Sequence, residues 1–227
     1  ISRIRSRRSR NSCSNSDHRK KWFPAQSART HERFVQRAAL SQCWSELGRR
    51  GLLERTSAIT DDHVWVVPPL VYVDLPPAAP TDAPDVVAVF VGANGRDKNL
   101  RVVLEAMASI GPGLRLDVVT NDPEPGHLPP SVRWLGPRAR PDVLGLLVSS
   151  DIHVFPSRTE SFGGVAVEAM AAGLPQVVDR SGVPAEIAGG SALTVDGDDV
   201  EEVAAAMARL ASDSTLRTAL ASRARQR

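Results

Sequence analysis

Two glutamates, Glu160 and Glu168, stand with seven residues between them in the stretch Pro156 to Val178, PSRTESFGGVAVEAMAAGLPQVV. The types in order predict a polar loop from Pro156 to Gly163, a helix from Gly164 to Ala172 and a buried strand after it. A helix that starts on glycine leaves a row of free backbone N–H groups at its tip, and such a tip attracts anions. Gly163 and Gly164 have no side chain to keep a phosphate from the main chain. Glu168 lies one turn on, about 6 Å along the axis, where a carboxylate can accept bonds from two neighbouring sugar hydroxyls. Phosphate at the tip and ribose at Glu168 together describe a nucleoside diphosphate. The same residues also suit an ordinary helix start with a solvated glutamate.

A second loop carries complementary chemistry. Gly92-Ala93-Asn94-Gly95-Arg96-Asp97-Lys98-Asn99-Leu100 follows an apolar run and places two cations, Arg96 and Lys98, just before a helix. A cation there meets the positive end of the helix dipole, so its presence hints at an anion between the two. A diphosphate leaving group gains negative charge as its bond to a sugar breaks. Fixed cations and helix amides stabilise that charge, each charge-assisted bond contributing about 1.5 to 3 kcal/mol. Read without a ligand, the segment is a solvated loop.

The run Glu160-Ser161-Phe162-Gly163-Gly164, continued by Glu168-Ala169-Met170-Ala171-Ala172-Gly173-Leu174-Pro175, resembles the paired-glutamate motif of retaining glycosyltransferases with the GT-B fold, family four. The family's usual form is Glu-Gly-Phe-Gly and then Glu-Ala-Met-Ala-x-Gly-x-Pro; here Ser161, still small, takes the place of a glycine. The loop from Gly92 through Lys98-Asn99-Leu100 is similar to the family's donor-phosphate loop. That resemblance implies a Rossmann-like parallel sheet with helices on both faces, the C-terminal half of a GT-B fold. It implies Lys98 and Arg96 on the pyrophosphate, although the family's arginine usually lies nearer the glycine. It further implies Glu160 on hydroxyls of the transferred sugar, Glu168 on the ribose, and the amides of Phe162, Gly163, Gly164 and Val165 around the phosphates. Gly92 opens the phosphate loop, and the turn from Trp134 to Pro137 resembles the wall behind the base, although Trp134, on a strand, otherwise reads as core before it reads as a ligand contact.

The reaction implied is transfer of a sugar from a nucleotide-diphosphate sugar to an acceptor, with retention and with neither metal nor further cofactor. The acceptor hydroxyl attacks the face the nucleotide leaves, and the nucleotide phosphate takes its proton, so Glu160 and Glu168 are not the acid and nucleophile of a glycoside hydrolase. The Lys98-Asn99 pair, in place of Lys-Gly, leans towards mannosyl- or rhamnosyl-adding members. The resemblance covers about residues 60 to 223, and the half that would hold the acceptor glycan, lipid or small molecule is absent or reduced, so the chain reads as a donor-binding half. The alternative is a nucleotide-sugar-binding module without turnover of its own. A dinucleotide oxidoreductase is disfavoured because no Gly-x-Gly-x-x-Gly follows the first strand.

The elements that must hold these loops alternate regularly, as in a parallel sheet wrapped by helices. Strands are predicted over Val86–Val91, Leu114–Val119, Val132–Leu135, Ile152–Phe155, Gln176–Val178 and Ala192–Val195. Helices are predicted over Asn99–Ile110, Pro141–Val148, Gly164–Ala172, Pro184–Ala188, Asp198–Leu210 and Ser214–Arg223. In such sheets ligands gather at the carboxyl ends of the strands, where the loops after Val91 and Phe155 both open. Upstream, Glu32 to Leu53 has a helical pattern, Val64–Val67 reads as a short strand, and Asp74 to Asp85 is a proline-rich linker. The domain reading is a basic tail over 1–30, a remnant with linker over 31–84 and a nucleotide-sugar-binding domain over 85–227.

Composition narrows the alternatives. The chain has 227 residues, 42% of them hydrophobic, enough for one real core. Residues 1–21 hold eight Lys or Arg against Asp17, leaving 20 basic and 25 acidic residues in the rest. The body is therefore mildly acidic and offers no general surface for nucleic acid. The Arg-Ser tail reads as a solvated segment or as sequence foreign to the natural protein before it reads as a binder of RNA or anionic lipid. Cys13 and Cys43 have no metal-site spacing, and the five histidines do not cluster; His153, inside a strand, reads as structural. No apolar run is long enough for a membrane span, so a cytoplasmic place, extending to the inner membrane face, is the default.

Overall fold

A computed structural model of the chain describes residues 41–54, 60–69, 75–76, 85–93 and 97–227. The basic tail over 1–30, most of the proline-rich linker, and Arg96 lie outside the described residues.

The segment expected as one long helix up to Leu53 is interrupted where it is described. Strand β1 (Ser41–Cys43) precedes helix α1 (Glu46–Leu53), and β1 pairs in parallel with β2 (Val64–Val66). Two causes break the helix, one local and one not. The Ser45 side chain caps α1 by accepting from the Gly48 N–H at 3.0 Å. The backbone before it is drawn into pairing with residues over twenty positions later, which a periodicity reading does not register. Val64 is buried against Cys43, Leu52 and Leu53.

From Val86 onward the chain builds a six-stranded parallel sheet. Its strands are β3 (Val86–Val91), β4 (Leu114–Val119), β5 (Val132–Trp134), β6 (Ile152–Phe155), β7 (Gln176–Asp179) and β8 (Ala192–Val195), in the spatial order β5-β4-β3-β6-β7-β8. The helices between them are α2 (Leu100–Ser109), α3 (Arg140–Val148), α4 (Gly164–Ala172), α5 (Val183–Ala188), α6 (Val200–Ser212) and α7 (Ser214–Gln226). The period of two along β3 sorts its side chains to two faces. Ala88 and Phe90 join the larger core with α2, α6 and α7, while Val89 joins Leu147 of α3 and Ala169 and Ala172 of α4 on the other side. Helices therefore cover both faces, as a parallel sheet requires.

The strands predicted over Val86–Val91, Leu114–Val119, Ile152–Phe155 and Ala192–Val195, and the helix over Gly164–Ala172, have those bounds in the structure. Helix α6 starts two residues later than expected because Asp199, rather than Asp198, is the aspartate at its cap, its side chain accepting from the Glu202 N–H at 2.9 Å. Helix α7 continues three residues past Arg223.

The strand order reverses direction between β3 and β6. From β3 the chain steps outward to β4 and β5, then returns to the far side of β3 to lay down β6, β7 and β8. The loops leaving the carboxyl ends of β3 and β6 meet at that switch point, the usual position of a ligand crevice in sheets of this kind.

Candidate functional site

The crevice begins with Asn99, which ends the β3 loop in the left-handed region at φ 56°. Its side-chain amide is buried and donates to Gly197 O at 2.8 Å and Pro156 O at 3.1 Å. One asparagine thus ties the loops after β3, β6 and β8 together. A second stitch runs beside it: Asp97 O accepts from the Arg158 N–H at 2.9 Å, and the Ser157 hydroxyl lies 3.1 Å from the same oxygen.

These stitches bring Lys98 and Glu160 together. The Lys98 ammonium pairs with Glu160 Oε1, which also lies 3.0 Å from Ser157 Oγ. The ammonium stands 5.6 Å from the centre of the Phe155 ring, close enough for a cation–π contact. The Glu160 side chain is 11% exposed and that of Lys98 26%, so the pair faces the crevice without being open to bulk water all round.

Beside this pair lies the tip of α4. Gly163 enters the helix at φ 83°, a conformation that favours glycine, and the first turn closes with Ala166 N–H on Gly163 O at 2.9 Å. The amides of Phe162, Gly163, Gly164 and Val165 precede that turn and have no protein acceptor among the described residues. A methyl group on Gly163 would stand 3.4 Å from Pro184 Cγ and 3.7 Å from Glu160 Cγ. The turn therefore lies directly against the Glu160 stem. Around Gly164 a methyl group would meet nothing within 4 Å, so this amide is open to a ligand.

Glu168 sits in the second turn of α4 with its side chain 9% exposed, and Oε1 lies 2.7 Å from Arg140 Nη2. Burial raises the Glu168 carboxyl above the ordinary carboxylate range, and the Arg140 guanidinium opposes that rise. Arg140 is the first residue of α3, which starts at the carboxyl edge of the sheet beyond β5. The pairing brings Glu168 to the edge at which Lys98 and Glu160 lie.

The other residues named from sequence fall as follows. Gly92 follows β3 and commits its amide to Val119 O at 3.0 Å, so it is not a donor for a ligand, and a methyl group on it would face the Phe90 ring at 3.5 Å. Trp134, on the edge strand β5, packs on the larger core. Lys98, Glu160, Phe162, Gly163, Gly164 and Val165 gather at the crevice, with Glu168 at the same edge; Arg96 lies outside the described residues.

Sequence reasoning missed the framework beneath them. Asp179 ends β7 and is buried; one carboxylate oxygen accepts from the Ser181 N–H at 2.8 Å and the other from the Gly197 N–H at 2.7 Å. Arg158 pairs with Asp198 and lies 3.6 Å from Asp196 and 3.9 Å from Asp179. Polar residues at the carboxyl ends of predicted strands were the available signal, but which of them meet depends on strand order. Arg140 had a sharper one, being a cation at a helix start like Lys98. Chemically, among the described residues the arrangement offers two cations, Lys98 and Arg140, each paired with a carboxylate, and one row of amides around a crevice. It is equipped to hold a doubly charged anion beside groups that donate hydrogen bonds.

The family model described as "Glycosyl transferases group 1" matches residues 85–213. A D-inositol 3-phosphate glycosyltransferase of Corynebacterium jeikeium is 44% identical over 91 residues, 39% of this chain and 22% of that protein. The protein of the same description from Salinispora arenicola is 37% identical over 160 residues, 65% of this chain and 34% of its own length. The chain thus spans about a third or less of these curated relatives. Among solved structures, HepE of Anabaena in complex with UDP and glucose superimposes with a TM-score of 0.78 at 21% identity, covering 90% of this chain and 62% of that one. Sucrose-phosphate synthase from Thermosynechococcus elongatus gives a TM-score of 0.78 at 20% identity, covering 90% and 57%.

Proposed function

The chain belongs to the glycosyl transferases group 1 family and has the fold of the C-terminal half of a GT-B enzyme; from that premise we propose that its crevice binds a nucleotide-diphosphate sugar for transfer to an acceptor with retention. In this reading Lys98 and the amides of Phe162, Gly163, Gly164 and Val165 take the diphosphate, with Arg96 as a second cation. Glu160 meets hydroxyls of the transferred sugar, Glu168 meets the ribose, and the turn that begins at Trp134 backs the base. The bond from the sugar's anomeric carbon to the phosphate oxygen breaks, and a bond from that carbon to the acceptor oxygen forms on the same face. The acceptor's proton passes to the departing phosphate. Lys98 and the amides lower the barrier by holding the charge that develops on the diphosphate, so no metal and no cofactor beyond the donor is assigned a part.

The observation that carries this reading is the meeting of Lys98, Glu160 and the open amides of α4 at the one point where the strand order reverses. The Lys98-Asn99 pair leans the transferred sugar towards a mannosyl or rhamnosyl group, while the HepE complex recommends UDP-sugars for the first trials. The curated relatives recommend an inositol phosphate as one acceptor to try.

The test is a melting-temperature screen of UDP-, GDP-, ADP- and TDP-sugars, since a ligand of the folded form alone raises stability by RT ln(1 + [L]/Kd). It is followed by assay of sugar transfer with and without EDTA. A donor-specific shift and EDTA-resistant transfer are expected. No shift with any nucleotide sugar contradicts donor binding, and transfer abolished by EDTA and restored by a divalent metal contradicts the metal-free step. A second reading is a nucleotide-sugar-binding module without turnover. Binding without transfer, when the chain is assayed with a region corresponding to the rest of those relatives, would establish it. A place at the inner membrane face would appear as sedimentation with anionic vesicles; among the described residues no helix is long and apolar enough to cross a membrane.

A further inference from the structure

We propose that Arg140 is a positioning residue for Glu168, fixing one oxygen of its carboxylate so that the other is held towards the ribose hydroxyls of a bound nucleotide. The inference rests on the reading of Glu168 as the ribose acceptor. Its geometric basis is the 2.7 Å contact between Arg140 Nη2 and Glu168 Oε1.

Three features set this pair apart from a stabilising surface bridge. The Arg140 side chain is 63% exposed, and a pair with one partner so open to water adds little to folding. Arg140 also stands at the first position of α3, with no side-chain cap there, where the helix dipole disfavours a cation. The side chain nonetheless reaches across to a buried carboxylate on another helix. A carboxylate has two oxygens and about four acceptor positions, so a guanidinium on Oε1 leaves Oε2 for hydroxyl donors and stops the group from rotating.

The ionised form matters because hydroxyls must donate to it. Burial pushes the Glu168 carboxyl up, and Arg140 opposes that. Other charged or titratable groups on the elements around α4 are Asp142 of α3, His153 of β6, Glu186 of α5 and Arg217, Arg223 and Arg225 of α7, Arg217 donating to Leu210 O and Ala211 O. Arg225 lies at the far end of α4, against Gly173, and Arg223 donates to Gly190 O. Among the described residues, the cation paired with Glu168 is Arg140.

The experiment is calorimetric titration of nucleoside diphosphate and its 2′,3′-dideoxy form across pH 4.5 to 8, for the wild type, Arg140→Ala, Arg140→Lys and Glu168→Gln. Arg140→Ala should bind the ribose form about fivefold more weakly at neutral pH, with the acid limb of its binding curve moved to higher pH. Arg140→Lys should return the limb towards its wild-type position, and the dideoxy form should bind wild type and Arg140→Ala equally. An unmoved acid limb, equal losses for both ligands, or tighter binding by Arg140→Ala would each overturn the role of Arg140 alone. If wild type and Glu168→Gln bind both ligands equally well, the ribose assignment falls and this inference falls with it.

Discussion

Among single residues, His153 shows how a group that looks chemical can be structural. Gln176 donates its Nε2 to Ala166 O at 3.0 Å, which turns its Oε1 to His153 Nδ1 at 2.8 Å. The imidazole therefore carries its proton on Nδ1 and leaves Nε2 buried without a partner among the described residues. Burial lowers the His153 pKa to about 4, against 6.5 for the free side chain, with the Gln176 bond opposing. Between those values the unfolded chain takes up a proton that the folded chain refuses. Stability present above pH 6.5 is thus lost as pH falls towards 4, by about 3 kcal/mol for this group. Urea denaturation at pH 7.5 and 4.5 should show the loss, and His153→Gln should flatten it; an equal slope in the variant contradicts the assignment. Lys98 is the opposite case, a partly exposed cation whose pairing with Glu160 lies at the sheet edge rather than in the core. Lys98→Ala should leave the melting temperature within a few degrees of wild type while weakening nucleoside diphosphate binding about 10- to 100-fold.

At the scale of elements, two glycines make a matched test. Gly164 opens α4 with free space where a methyl group would stand, whereas a methyl group on Gly197 would lie 2.6 Å from Pro156 O and 2.8 Å from Asp179 Oδ2. Gly164→Ala should fold normally and bind nucleoside diphosphate at least about tenfold more weakly, because the methyl group occupies the approach to the open amides. Gly197→Ala should destabilise the fold by about 2 kcal/mol or more, since backbone and a buried carboxylate must give way. Melting curves beside calorimetry separate the two, and equal melting temperatures would contradict the account of Gly197. The contrast also marks what was legible in sequence. Strands such as β3 and β6 announce themselves by apolar runs, and α4 by glycines at both ends, because those signals are local. The junction of Asn99, Asp179 and Gly197 does not, because it exists only once β8 is laid beside β7. The helix expected up to Leu53 failed for the same reason, its residues 41–43 being captured by pairing with β2.

On the scale of the whole molecule, the elements before the linker are attached to the sheet domain by Glu186. Its two carboxylate oxygens accept the N–H groups of Glu46 and Leu47, each at 2.8 Å, at the start of α1. A carboxylate at a helix start is favoured by the dipole and fills orphan donors. Glu186→Ala should therefore speed amide hydrogen exchange at the first turn of α1 while leaving the strands β3 and β6 protected; unchanged exchange at Glu46 and Leu47 would show that the tie carries no weight. The central claim concerns the edge of the larger unit, where a cationic loop, an amide tip and a carboxylate from separate segments converge on one nucleotide. It is tested most directly by calorimetric titration of the best-binding nucleoside diphosphate into wild type, Lys98→Ala, Glu168→Ala and the double variant. The account predicts weaker binding in each single variant and the weakest in the double, all with native-like melting; unaltered affinity in both single variants would contradict it.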